Sequence, residues 1–336
     1  MNSHVLVIYD KDSFYAVKLQ DFLCKHKSNP FKVNVFTNKE DLQSVYRDSK
    51  DAGPEILLVA ESCFDEELSK INPKYIFILN ETGLNKLSQY ANFNKYQLAE
   101  DLFKKLLLEY TNRQKDVIPR FYGNKRAKLI GVYTPVRRCM QTSFAIALSQ
   151  VLGKKGRTLY INFEQFSGFS KLFQKRYLKD LSDLVYFYLY SKEKFLYWLE
   201  GVVERFKDMD YIPPVLTAVS LVSVNTDTWV NMIEDICTGA GYEYVVLDLS
   251  DCIQGIFSIL GLCYKVYTIQ REDTISVAKL RQYEQILEEK QYASIKDRVR
   301  NIKLPTFTIK EELWEDVIYG ELYQFVVGIA KEDFYE

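Results

Sequence analysis

The chain has 336 residues, 47% of them apolar and 15% aromatic, and a formal net charge of -1. A charge this close to zero gives no overall field for nucleic acid, and no apolar run approaches the length that spans a bilayer. His4 and His26 are the only histidines, both near the N-terminus, and the six cysteines form no C-x-x-C pair, so a histidine triad, a zinc site and a disulfide framework are set aside.

In chain order, HVLVIY over residues 4–9 is an apolar strand, followed by Asp10 and Asp12 and by a helical pattern through Phe14, Val17, Leu19 and Phe22. KVNVF reads as a strand, 39–46 as a helix, EILLVA and YIFIL as buried strands, and 98–110 as an amphipathic helix. Alternating βα units of this length predict a doubly wound α/β domain over residues 1–112, with helices on both faces of a parallel sheet. Met1-Asn-Ser-His runs into the first strand without a signal-peptide pattern, so a soluble, cytoplasmic protein is expected.

This first domain resembles the flavodoxin-like receiver domain of response regulators. The resemblance assigns Asp10 and Asp12 to an acidic pair that holds magnesium, residue 60 to the phospho-acceptor and Lys95 to the active-site lysine. Residue 60 is an alanine, which serves neither as nucleophile nor as metal ligand. A pseudo-receiver that takes no phosphoryl group is therefore expected.

Periodicity lapses over 113–126, TNRQKDVIPRFYGNKR within its flanks, which reads as a linker. The second domain, 127–336, opens with KLIGVYTPVRRCMQTSFAIALSQVLGKKGRTLYINFE: strand, tight loop, helix, strand. Aromatic helices follow over 180–206, a break at Tyr211-Ile-Pro-Pro214, a helix over 227–237 and the strand YEYVVLDLS, which ends in Asp248. A helix from Ile256, the strand YKVYTI, a helix over 276–290 and a last one over 311–330 complete the expectation.

A phosphate-cradling loop between a strand and a helix reads G-x-x-x-x-G-K-[ST]. Here the turn is Pro135-Val-Arg-Arg-Cys-Met-Gln141-Thr142. Its frame, with the Thr-Ser-x-Ala-x-Ala-Leu helix and the following GKKGRTLYINFEQFSGF, resembles the deviant-Walker P-loop ATPases of the ParA/MinD class, and within them the TadZ/CpaE-like pilus-assembly proteins. In that resemblance the family's two lysines fall at Val136 and Gln141, its glycines at Arg137, Arg138 and Met140, and the hydroxyl position is kept as Thr142. The fold it implies is a doubly wound P-loop NTPase-like domain, with ATP and magnesium as cofactors and Thr142 and Asp248 as metal ligands. Asn162 and Glu164 fall where the family handles attacking water, Glu164 being expected on the opposite side of a continued strand.

Glycines in such a loop permit positive φ and close approach of backbone N–H groups, so Arg137, Arg138 and Met140 are expected to crowd it. Pro135 removes an N–H, and Gln141 removes the lysine charge from the phosphate clamp. The resemblance thus implies a localisation or assembly factor for a Flp-type pilus or secretion apparatus. It would be recruited to a pole or membrane complex through protein partners and act as a homodimer with little or no hydrolysis. Val136, Met140 and the arginines would line the dimer face. The alternative is a slow ATPase that uses Thr142, Asp248 and the arginine-rich loop. Nucleic acid is not an expected partner, nor is direct membrane insertion: the C-terminal stripe Val317, Ile318, Leu322, Phe325, Val326 and Ile329 faces a polar side carrying Glu315, Asp316 and Glu321, which anionic headgroups repel. Docking of that stripe onto the domain's own sheet is expected instead.

Overall fold

The chain divides into two units, Met1–Arg120 and Phe121–Glu336. A computed structural model describes residues 4–26, 29–47, 53–84, 86–113, 125–217, 219–306 and 320–335. Most of the expected linker, residues 114–124, falls outside them.

The first unit runs β1 (Val5–Tyr9), α1 (Ser13–Lys25), β2 (Lys32–Phe36), α2 (Lys39–Arg47), β3 (Ile56–Ala60), β4 (Tyr75–Asn80), β5 (Ala91–Asn94) and α3 (Ala99–Arg113). All five strands are parallel, in the order β2-β1-β3-β4-β5. That reversal of strand order beside β1 marks a doubly wound sheet. Every residue of β3 is buried, as befits the central strand of a sheet covered on both faces.

The structure corrects or adds to the sequence reading of this unit at three points. Helix α1 buries Ala16, Leu19 and Leu23, while Phe14 and Val17 lie in solvent, so its buried face is turned from the one the aromatic pattern suggested. Between β3 and β4 the chain makes only 3-10 turns, Glu61–Cys63 and Glu66–Ile71, because Asn72 enters the left-handed region (φ 54°) and Pro73 follows. Strand β5 was not foreseen: in ANFN only Phe93 is buried, which is too little apolar alternation to stand out.

The second unit contains β6 (Lys128–Val132), α4 (Gln141–Gly153), β7 (Thr158–Asn162), a short α5 (Phe169–Leu172), α6 (Leu181–Tyr190), α7 (Phe195–Val202), β8 (Glu204–Phe206), β9 (Met209–Ile212) and α8 (Val219–Val222). It continues with α9 (Thr226–Gly239), β10 (Tyr244–Asp248), α10 (Ile256–Leu262), β11 (Lys265–Gln270), α11 (Thr274–Leu287), α12 (Ala293–Lys296), β12 (Val299–Lys303) and α13 (Glu321–Phe334). The seven-stranded sheet has the order β12-β11-β6-β10-β7-β9-β8, parallel except for the β8–β9 hairpin.

The aromatic helices thus end at Val202, and 204–206, expected to be helix, pair with 209–212, whose last two residues were expected to break the chain, in that hairpin. The hairpin is pinned by the end of α4: a Cβ on Gly153 would lie 2.1 Å from the Asp208 carbonyl oxygen, so no larger residue fits there. Arg157, at the entry to β7, holds the same region together from the inside. Its guanidinium donates to both Glu200 carboxylate oxygens (2.8 and 3.1 Å) and to Asp210 (3.2 Å), and lies over the Tyr242 ring.

Of the expected C-terminal helix, residues 307–319 lie outside the described part. What is described, α13, packs against α4 and buries Leu322, Tyr323, Val326, Ile329 and Ala330, with Phe325 partly buried, in the same core as Phe144 and Ala147. The described part of the stripe, Leu322, Phe325, Val326 and Ile329, is therefore docked on the unit itself, against helix α4 and not directly on the sheet as expected, while Val317 and Ile318 lie outside the described residues. Among the described residues no helix is long and apolar enough to cross a membrane.

Candidate functional site

Strands β6, β10 and β7 end side by side, with Asp248 in register with Val132 on one flank and Asn162 on the other. In a parallel sheet this carboxyl edge, where neighbouring connections depart to opposite faces, is where ligands are held. The loop between β6 and α4 lies over it and bounds a cleft of about 650 Å³, shared with Glu164, Phe166, Ser250 and Asp251.

The loop keeps the backbone that glycines would have adopted. Arg138 (φ 57°) and Met140 (φ 64°) are both left-handed, at two of the three positions assigned to glycine. Each such residue costs on the order of 1–2 kcal/mol, which the surrounding contacts must offset. Arg271 donates to the Arg138 carbonyl oxygen (3.0 Å), and Thr134 accepts the Val136 N–H (3.2 Å). Crowding of the loop is avoided because Arg137 and Arg138 are exposed. Arg137 has no positive φ, so a glycine-like requirement exists only at residues 138 and 140.

Gln141, at the position assigned to the phosphate lysine, is buried and turned into the protein. Its Nε2 donates to Asp248 Oδ1 (2.6 Å) and to the Leu249 carbonyl oxygen (2.9 Å), and its Oε1 accepts the Thr134 N–H (3.0 Å). The other Asp248 oxygen accepts from the Tyr160 hydroxyl (2.9 Å) and the Asn162 amide (3.0 Å), and Thr142 donates as well. Burial pushes the Asp248 carboxyl above the usual carboxylate range, and these four donors pull it only part of the way back.

These residues do not fit a magnesium ion. A metal at Asp248 would have to displace the amide and hydroxyl hydrogens that already fill both carboxylate oxygens. Among the described residues no group of three or more His, Cys, Asp or Glu side chains is placed to hold a metal. Burial also raises the Cys139 thiol to about 11, so at neutral pH it is not a thiolate nucleophile.

Three neighbours were misjudged from sequence. The strand stops at Asn162, and Glu164 lines the cleft instead of facing away from it. Burial, with the nearby Asp248 charge, raises its carboxyl, and Arg137 partly offsets this. Val136 is only 4% exposed and Met140 partly buried, both packed on the unit's own core, so little of the expected apolar surface is left for a partner copy. Tyr160, the donor that completes the Asp248 cage, went unnoticed; its signal was a tyrosine one pleat before Asn162 on the same face of β7.

In the first unit the carboxyl ends of β1 and β5 bring together Asp10 and Lys95, and Glu81 joins them. Lys95 Nζ lies 2.7 Å from Asp10 and 2.8 Å from Glu81, with both Lys95 and Asp10 almost fully buried. Asp12 does not join the cluster through its side chain: it is exposed and caps α1 by accepting the Tyr15 N–H. Ala60 is buried at the end of β3, and the adjacent Glu61 carboxylate accepts from the backbone of Glu81 and Thr82. Glu81 was not anticipated, since in the sequence it is an acidic residue after a strand with nothing to single it out.

No protein-family model matches the sequence, and no curated protein sequence matches it. Similar solved structures include a plasmid partition protein from Borrelia burgdorferi, at 14% identity over 62% of this chain and 100% of that one, with a TM-score of 0.44. A ParA family ATPase from Chlorobium tepidum is 15% identical over 61% of this chain and 81% of its own, with a TM-score of 0.45. The MinD cell division protein of Aquifex aeolicus is 15% identical over 60% and 79%, with a TM-score of 0.40.

Proposed function

We propose that this protein is a localisation or assembly factor of the TadZ/CpaE kind, serving a Flp-type pilus or related secretion apparatus. It acts by self-association and protein contacts, with little or no ATP hydrolysis. The first unit is a pseudo-receiver in this reading, and the second a P-loop scaffold with its chemistry disarmed. The pilus assignment is supported by the sequence resemblance around the loop. The loss of chemistry is supported by one contact, the Gln141 amide on Asp248, which puts a saturated hydrogen-bond network where a phosphate lysine and a metal would have to work.

A second reading, the slow ATPase, is favoured by the left-handed backbone at Arg138 and Met140, which preserves an anion-cradling shape beside two exposed arginines. Titrating the purified chain with Mg-ATP while following binding and phosphate release separates the two. Nucleotide-free function predicts no turnover; turnover that Asp248→Ala abolishes selects the ATPase. In cells, pili and secretion that persist unchanged after deletion of the protein would sink the assignment to that apparatus.

A further inference from the structure

Beside the loop cleft lies a groove of about 500 Å³ in the second unit, between residues 166–170, 176–180 and 214–216. Its floor is apolar and buried, with Phe169 at 1% and Val215 at 3% exposure. Its lips are the reverse: Phe166 is 74% and Leu216 85% exposed. Large apolar side chains held in water on both sides of an apolar floor are the pattern that a protein partner covers.

The groove is built before anything binds. Tyr177, in its wall, is tied to Tyr211 of β9 by a hydroxyl–hydroxyl bond (3.1 Å), and the Leu181 N–H donates to the Pro213 carbonyl oxygen (2.9 Å). Asp180, the carboxylate in the lining, is committed to capping α6, where it accepts the Ser182 and Asp183 N–H groups. A preformed groove spares a ligand most of the ordering cost of association.

Charge selects the occupant. Lys175 and Lys179 are engaged by Glu204 (2.7 Å) and Asp183 (3.1 Å). Arg176, in the groove lining, and Lys171, on the same short helix as Phe169, are exposed and make no ion pair among the described residues. One uncommitted cation, Arg176, therefore lines an apolar floor and a second, Lys171, follows the lining residue Ser170 in the chain, too few and too apolar a setting for a nucleic-acid backbone.

We propose that this groove docks a short segment of another protein that places a bulky apolar side chain on Phe169 and Val215 and carboxylates against Lys171 and Arg176. The proposal deepens the reading of the second unit as a protein-binding scaffold and rests on it. ATP turnover, which would sink that reading, is tested separately, because the docking experiment is done without nucleotide.

The probe is a displayed library of random short peptides selected on the immobilised full chain. Selected peptides are expected to share a bulky apolar residue next to Asp or Glu. A synthetic copy of one, followed by fluorescence anisotropy, should lose about tenfold or more in affinity on Leu216→Asp and on the double change Lys171→Glu, Arg176→Glu. Replacing its acidic residues with lysine should restore binding to the charge-reversed chain. Because all three substituted positions are exposed, the fold does not depend on them. Selection of peptides without acidic residues, affinity indifferent to both variants, or no selection at all overturns the proposal. So does a full-length dimer that Leu216→Asp converts to monomer, which would assign the groove to a second copy of this chain.

Discussion

The side-chain amide of Gln141 sits 2.6 Å from the carboxylate of Asp248, although the two are 107 residues apart in the chain. The contact welds the first turn of α4 to the end of β10 and fills the space between the loop and the strand edge. Removing it as Gln141→Ala strands a buried carboxylate oxygen and the Thr134 N–H together. The expected loss is about 1–3 kcal/mol of unfolding free energy in urea; a variant as stable as the parent would mean that water replaces the amide without cost.

Placing a lysine at residue 141 should not create phosphate chemistry. In Gln141→Lys the new ammonium faces Asp248 as a buried ion pair, while Tyr160 and Asn162 still hold the other carboxylate oxygen. Phosphate release from Mg-ATP is expected to stay at background. Measurable turnover in this single variant would show that residue 141 alone keeps the site from acting on nucleotide.

The docking of α13 has a pH signature. Burial would push the Asp333 carboxyl up, but hydrogen bonds from Lys265, Tyr267 and Arg300 outweigh it and hold the group below the ordinary carboxylate range. A carboxyl whose folded pKa is depressed contributes stability that is fully present above its unfolded pKa, about 3.9, and is lost as pH falls through the lower folded value. Asp333→Asn should therefore cost about 2–3 kcal/mol at neutral pH, and the gap to the parent should narrow in acid. Asp248, raised by burial, works in the opposite sense: its contribution falls as pH rises from the unfolded pKa through the folded one. A parent-to-variant gap at Asp333 that stays constant down to the acid limit of folding would contradict this account.

Packing of the same helix predicts a second, pH-independent loss. Leu322 and Ile329 are 1% and 5% exposed in the core shared with α4. Truncating either to alanine should lower stability by about 2–4 kcal/mol. If instead both variants unfold like the parent while the intact chain floats with anionic liposomes, the stripe serves a bilayer and not the core.

In the first unit Lys95 neutralises two carboxylates at once, so Lys95→Met leaves Asp10 and Glu81 facing each other without a cation. The expected cost is about 3–5 kcal/mol, read as an early unfolding transition of residues 1–120. The same occupied cluster, with alanine at position 60, predicts no aspartyl-phosphate after treatment with acetyl phosphate; an adduct in residues 1–110 by mass spectrometry would refute it.

Much of the architecture was legible in the amino-acid order because it is encoded locally. Apolar runs such as ILLVA and YVVLD announce central strands, and the Phe144, Leu148, Val151 and Leu152 spacing announces α4. Asp248 at a strand end and Thr142 at a helix start could be placed on the same ground. Of the edge strands, β2 was read but β5, β8 and β12 escaped, being largely polar because an edge strand needs no continuous apolar run; β9, next to the edge and fully buried, escaped because it is only four residues long.

What the loop does was decided by tertiary structure. From sequence, three lost glycines meant a crowded loop and a lost lysine meant a missing charge. Folding shows Arg138 and Met140 holding the left-handed backbone, and Gln141 recruited as a structural ligand of Asp248. Neither outcome has a local signature. The backbone at residues 138 and 140 is held by contacts from Arg271 and the core, and the Gln141 partner is set by the parallel register that brings β10 between β6 and β7. Periodicity reports which face of an element is buried; only the register of distant strands determines which side chains meet across it.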